Sequence, residues 1–448
     1  MAILPQKEIF SWKEIETSSE LDRLKVVLEI LPDEGLMQLL EKKRKGRRND
    51  YPIRAVWNSI LAGIIFQHES IESLRRELKR NAELRNLCGF NIFKGSKAVP
   101  PSYVYTRFLN KAIGFQEEMD KIFHKLIDAL KKEIPDLGRI LATDGKAIHS
   151  YAVGKKDPAK SSDPEADWGK KSYKGINKDG TKWEKIKSWF GYNLHLIIDA
   201  NHEIPLGYKL TKASANDSPH YIPMLEELAE RHESIIKTAE HSCLDKGYDS
   251  KNNNSIPFDK YGIKPIIDIR NTWKEEPYRL IDNKKADNIV YDYRGNVYCY
   301  TGTGKDLEKD FTKMAFAGYE KNRKSLKYRC PAKAYGFKCK KENICNNGKP
   351  PEFGRTVRIP LEKDRRVFTP VARSSYKFKN IYKKRSSVER VNSRIDNMFM
   401  FEKHYIRGHK KMTFRISMAL IIMLAMALGR IKNNQRELLR SLVQPMAA

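Results

Sequence analysis

The chain is short of acidic residues. Asp and Glu number 56 against 85 Lys and Arg, a formal net charge of +29. Such a balance argues against cationic partners and points to a polyanion, most often nucleic acid. Solubility alone is the plainer reading of the same number. Cysteine is scarce too. Six in 448 residues do not make a disulfide framework, so a reducing compartment is expected. Long apolar runs are missing. The longest, residues 416–428, falls short of the ~20 residues that span a bilayer and reads as a buried helix. No membrane association is expected. Residues 1–16 lack a basic segment followed by an apolar one, so no secretory signal is expected. Internal repeats are absent. The hydrophobic share of 40% excludes a wholly disordered chain, and the length suits two to four domains at roughly 100–200 residues each.

What is present divides by periodicity. Residues 1–50 hold two short helical patterns and a basic run from Lys42 to Arg48, read as a solvated linker or a phosphate-contacting arm. Ile53, Val56, Trp57, Ile60, Leu61, Ile64 and Ile65 keep the spacing of one helix face. Ile71, Leu74 and Leu78 suggest a second helix, with Arg75, Arg76, Lys79 and Arg80 around it. Ser102, after Pro100-Pro101, can cap a third. Short helices with basic faces suit a helix-turn-helix-like module. A plain helical bundle fits them equally.

From residue 136 the pattern changes. Strands are expected at 139–144, 189–198, 204–211, 235–245 and 262–269, with a helix from Ser218. Residues 151–187 are polar and rich in Lys, Asp and Gly, and are expected as a long mobile loop. This order is a mixed-sheet α/β pattern. Residues 271–370 alternate in places (Val297-Tyr298-Cys299-Tyr300) and read as a β-rich insertion. The expected division is a helical, DNA-binding-like domain at 1–135, a core at 136–270, the insertion at 271–370, and the helical remainder of the core at 371–448.

The acids suggest chemistry. Asp144 and Asp245 each end a strand-like run. Carboxylates at the C-terminal edge of neighbouring strands can converge where α/β sites sit. Converging carboxylates repel and need protons or cations. Hard oxygen ligands suit Mg²⁺ or Mn²⁺, and two such ions can hold the attacking and leaving oxygens of a phosphodiester displacement. A turn residue or helix cap is the plainer reading of either Asp. Glu389 follows Tyr382 and Arg385 in the order Tyr-x2-Arg-x3-Glu. On one continuous helix, at about 100° per residue, the three share a face. An i, i+4 surface ion pair between Arg385 and Glu389 is the plainer reading here.

Taken together, these residues resemble a family. Asp144-Gly145-Lys146, then Trp189-Phe190-Gly191-Tyr192, Ala215-Asn216-Asp217-Ser218, Leu244-Asp245-Lys246-Gly247-Tyr248-Asp249, and finally Tyr382, Arg385 and Glu389 stand in the order seen in bacterial insertion-sequence transposases of the DDE class. The closest group resembled is the insertion-sequence-4-like transposases with a Tyr-Arg-Glu-Lys signature. The likeness runs from about residue 20 to about residue 430, and its specificity lies in the ordered set. It implies a ribonuclease H-like mixed-sheet α/β core. It implies that Asp144, Asp245 and Glu389 hold two Mg²⁺ or Mn²⁺ ions as the catalytic triad, and that Tyr382 and Arg385 contact double-stranded DNA at the element ends. It further implies target DNA as a second partner, a homodimer in the synaptic complex, and a cytoplasmic, nucleoid-associated bacterial location. One position departs: the signature Lys should stand at 396, which is Asp396.

Two alternatives compete. A non-catalytic sequence-specific DNA-binding protein, a decayed transposase or a repressor, accounts for the charge equally well. A structure-specific nuclease would share the metal chemistry without joining strands. Cys299, Cys330, Cys339 and Cys345 cluster in the insertion and could hold a structural Zn²⁺, although they lack paired C-x2-C knuckles. Asp217 and Asp249 are expected near the site or as a helix cap and a turn residue. Cys88 and Cys243 are expected in the core, and His149 in local hydrogen bonding.

Overall fold

The computed structural model describes residues 21–44, 50–177, 179–274, 276–281, 288–299, 311–339 and 352–441. The basic run at 42–48 lies partly outside them, and Cys345 wholly so.

The chain opens with helices: α1 (Asp22–Ile30), α2 (Glu34–Lys42), α3 (Ile53–Ile65), α4 (Ile71–Arg80), α5 (Ala82–Cys88), α6 (Ser102–Ala112) and α7 (Gln116–Glu133). The heptad-like apolar spacing of α3 buries Val56, Trp57, Ile60, Leu61 and Ile64. Ser70 caps α4 through the Ser73 N–H, and Gly89 closes α5 in the left-handed region that glycine adopts without strain.

The central sheet follows: β1 (Ile140–His149), β2 (Asp167–Ile176), β3 (Lys182–Asp199), β4 (Ile204–Lys212), then α8 (Tyr221–Arg231), α9 (Glu233–Thr238), β5 (His241–Leu244), α10 (Lys251–Tyr261) and β6 (Lys264–Ile267). Its order is β2-β3-β1-β5-β6, with β4 also on β3. β1 runs antiparallel to β3 and parallel to β5. Two expectations need correction. The loop expected at 151–187 holds all of β2 and the first part of β3, paired from Asp167↔Gly191 to Ile176↔Lys182. The strand expected at 235–245 is split, because residues 233–238 form α9 before β5 begins.

The described strands that follow form two small sheets, of order β10-β9-β8-β7 and β11-β12-β13, from β7 (Tyr278–Leu280), β8 (Ile289–Asp292), β9 (Val297–Cys299), β10 (Thr312–Lys313), β11 (Ala315–Glu320), β12 (Ser325–Arg329) and β13 (Thr356–Pro360), with α11 (Pro331–Tyr335) between the last two. They share their own cluster of buried residues, from Ile269 to Phe368. Trp273 packs edge-on against Tyr291 beside this cluster. Asp249 is no simple turn residue. It is buried and accepts from Asn254, from the Arg270 N–H and from Arg366, tying this region to the central sheet. Cys330 and Cys339 are free thiols. Among the described residues no three His, Cys, Asp or Glu side chains are gathered to hold one ion, so the described cysteines do not form the expected zinc set.

The chain ends in α12 (Tyr376–Tyr382), α13 (Ser386–Met398) and α14 (His409–Lys432). α14 is long and apolar enough to cross a bilayer, yet it is buried here. It packs on α1, α7 and β4 and joins the helical half to the sheet in one core. Replacing fully buried Leu420 by Ala should therefore destabilise both halves, by about 2–5 kcal/mol. Denaturant unfolding followed at the two ends of the chain checks this: loss at one end only would show that the core is not shared.

Candidate active site

The site starts from a register. β1 and β5 pair in parallel from Ile140↔His241 to Thr143↔Leu244. Leu141, Ala142, Cys243 and Leu244 on these strands are fully buried, as expected for parallel strands covered on both faces. The next residue on each strand is an acid, Asp144 on one and Asp245 on the other. Neighbouring strands lie about 4.8 Å apart, so the two carboxylates leave the sheet side by side. β1 continues along β3, whereas β5 stops and Asp245 opens a 3₁₀ turn at Lys246–Tyr248 without capping it through its side chain.

Asp144 feels this crowding. Burial pushes its pKa up to about 6, and Asp217 and Asp245 push in the same direction. The Lys171 ammonium and the Gly145 N–H oppose the rise. Lys171 itself donates to the Gly145 carbonyl at 3.0 Å.

The third acid arrives by a less regular route than expected. Tyr382 ends α12, residues 383–385 form a 3₁₀ turn, and Glu389 lies in the first turn of α13. The continuous helix assumed for 382–389 is therefore absent. Arg385 nevertheless reaches both acids. Its Nη2 lies 2.9 Å from Glu389 Oε1 and its Nε 4.0 Å from Asp245 Oδ1. Burial pulls the Arg385 pKa down, but Asp245 and Glu389 outweigh it and leave it raised. The Tyr382 ring stacks on Phe378. Burial and then Asp245 push its hydroxyl up to about 12. A sulfur contact from Cys243 to the Ile381 carbonyl at 3.4 Å holds α12 on β5.

In kind and charge these oxygens fit a hard divalent ion, but the three carboxylates are not gathered around one point in this structure. In this structure Arg385 stands between two of them. Asp217 is not the expected helix cap, since its side chain makes no cap bond. It accepts from Asn193 Nδ2 at 2.6 Å and lies against Gly145, where any Cβ would overlap its carboxylate. Buried His195, lowered to about 3 by burial and then His220, lies beside it at 3.4 Å. The register pairs Gly145 with His195, so Asp217 lies across β1 from the Asp144 side chain. His149 is exposed at the end of β1.

A profile of the family described as "Transposase DDE domain" matches residues 138–425. The chain belongs to the DDE transposase family. No curated protein matches it. Among solved structures, the cryo-EM structure of the piggyBac transposase synaptic complex with hairpin DNA is similar, at 11% identity and a TM-score of 0.38, over 96% of this chain and 80% of that one.

In this DDE transposase domain the departing position, Asp396, has a partner that spacing alone did not suggest. Lys146 Nζ donates to Asp396 Oδ2 at 2.5 Å, and both side chains are largely buried. The pair is a second rung beside the acids. Lys146 is two residues past Asp144 and shares its strand face. Asp396 is seven past Glu389, about 340° further round the same helix. From the other side, Arg390 and Arg394 both reach Glu203 in the turn between β3 and β4. α13 is thus clamped to β1 and to the β3–β4 turn, with Arg385 between Glu389 and Asp245. The helix ends at Met398. Lys146→Met and Asp396→Asn should each destabilise the fold, with a coupling of about 0.5–3 kcal/mol in a double-mutant cycle. Additive losses in thermal unfolding would remove the clamp.

Proposed function

We propose that this chain is an active transposase. It cuts double-stranded DNA at the ends of its element and transfers the 3′ ends into target DNA. The observation that carries this reading is the β1–β5 register, which sets Asp144 beside Asp245, with Glu389 tied to the same point through Arg385. The mixed parallel and antiparallel order around β1 supports a ribonuclease H-like core, assembled from residues 136–270 and 371–448. On this reading residues 1–135 form a helical DNA-binding domain and residues 271–370 an insertion. Tyr382, Arg385 and Glu389 support membership of the insertion-sequence-4-like group, with Asp396 as its variant position.

Asp144, Asp245 and Glu389 would hold two Mg²⁺ or Mn²⁺ ions. Bound there, such ions polarise the phosphodiester and the attacking oxygen. The protein's own groups supply the rest. Arg385, released from Asp245 and Glu389, turns its guanidinium to a DNA phosphate. Tyr382 keeps its hydroxyl proton at neutral pH and donates it to a phosphate oxygen. Lys171 and Lys146 hold the backbone of β1 and the position of α13. Two element ends need two subunits, so the working form is a homodimer. Its place is the bacterial cytoplasm, at the nucleoid.

Asp144→Asn, Asp245→Asn and Glu389→Gln should each abolish cleavage and leave end binding intact. The assay is incubation of the full chain with Mg²⁺, labelled duplexes from the DNA flanking its gene, and a target plasmid. Joined products are expected from the unsubstituted chain. Cleaved but unjoined duplexes would indicate a nuclease. A shifted, intact duplex would indicate a binding protein only.

A further inference from the structure

β2 and the first part of β3 form a two-stranded ribbon that leaves the sheet. Their ladder runs from Asp167↔Gly191 to Ile176↔Lys182. β1 joins β3 only at Gly191 and β4 only at Tyr192. Beyond that point the ribbon has no third strand among the described residues. Residues 182–188 are exposed throughout, a reach of about 24 Å at ~3.4 Å per residue. A lone two-stranded ribbon is marginal in water, and this one has a lock. Trp183 lies across from Gly175 and Trp189 across from Gly169, with each indole occupying the space a Cβ would take. This is aromatic rescue of a strand glycine.

The ribbon is basic and partly apolar at once. Residues 169–188 carry seven lysines against two acids. Lys170, Lys182 and Lys185 are exposed. So are Ile176, Trp183 and Ile186, at 69%, 42% and 62%. The alternation of the strand puts Trp183, Lys185 and Lys187 on one face, with Lys171 opposite Lys187. Lys171 sits at the root and donates to the Gly145 carbonyl, one residue past Asp144. The face therefore ends at the carboxylates. Edge-strand lysines often serve only to block sheet-to-sheet association. That role does not call for exposed Trp and Ile on the same ribbon, nor for a lysine bonded beside the acids.

We propose that this ribbon is a DNA-binding arm, lying in a groove of duplex DNA and leading the backbone toward Asp144. A two-stranded ribbon fits the major groove, about 12 Å wide. The lysines meet phosphates, and Trp183, on the same face as Lys185 and Lys187, meets the groove interior. The inference rests on the transposase reading given above and adds the surface that holds the duplex.

The test is the salt dependence of binding. The full chain and a Lys185→Ala/Lys187→Ala variant are titrated onto a fluorescent duplex of about 30 base pairs, without divalent metal. Each lost phosphate contact lowers the slope of log K against log salt by about 0.9. Two contacts flatten it by about 1.8, so between 50 and 200 mM salt the wild type loses roughly 12-fold more affinity than the variant. An unchanged melting temperature confirms that the variant is folded. An unchanged slope, with a wild type that binds, overturns the arm alone. A wild type that binds no duplex overturns the arm and the transposase reading together. Trp183→Ala should weaken binding at every salt concentration without changing the slope, and unaltered affinity there overturns the groove contact.

Discussion

The pairing of β1 with β5 stops one residue before an acid on each strand, and the rest of the site depends on that stop. The register is held by apolar residues on both strands and on β6, where Ile266 and Ile267 are fully buried. A slip of one residue would turn every one of these side chains to the opposite face. It would also bring Leu244 or Lys246, rather than Asp245, level with Asp144. Core packing and site geometry are thus one constraint. The strands cannot bury their apolar runs in this register without presenting the two carboxylates together.

That arrangement is electrostatically costly, and the surroundings show how the cost is met. Asp144 has its pKa raised to about 6 by burial first and by neighbouring acids after it. The sign follows from linkage: a raised carboxyl pKa favours the folded state while the group is protonated. That contribution is fully present below the ordinary value near 3.8. It fades as pH rises through about 6. At neutral pH the fold therefore carries an ionised Asp144 at a penalty that nearby cations offset. Lys171 does so at the root of the ribbon, Arg385 spans Asp245 and Glu389, and Lys146 neutralises Asp396. The negative charge at position 396 thus has its opposite charge on β1.

These features were unequally legible in the sequence. Asp144 and Asp245 were visible because a short apolar run ending in a carboxylate is a local pattern. Arg385 and Glu389 were visible because i, i+4 spacing survives the 3₁₀ turn before α13. The Lys146–Asp396 pair was not visible, since 250 residues separate its members and no local period links them. The ribbon has the sequence pattern of a loop for a different reason. Alternation marks a strand only when one face is buried, and the outer half of this one has no buried face. Its lysines and glycines gave the composition of a loop, while the stabilising contacts are cross-strand Trp–Gly pairs that depend on register. Asp217 reads as a cap because a helix is expected from Ser218. Its actual neighbour is Gly145, whose missing Cβ is meaningful only once the sheet exists.

β3 connects these observations mechanically. Its inner half, Leu194 to Ile198, is buried and pairs with β1 on one side and β4 on the other. Its outer half is the exposed strand of the ribbon. One unbroken strand of 18 residues therefore runs from solvent to the residues opposite Asp144, and Lys171 ties the ribbon's second strand to β1 at the same place. A close-packed sheet does not absorb displacement by local softness. Load on the ribbon passes into the β1–β3 ladder, and from there to the Lys146–Asp396 pair that fixes α13. The ribbon and the helix that carries Glu389 are thus each clamped to β1, by Lys171 and by the Lys146–Asp396 pair. A change in either clamp should move Glu389 relative to Asp144 while leaving the Asp144–Asp245 spacing, which the parallel register alone determines, where it is.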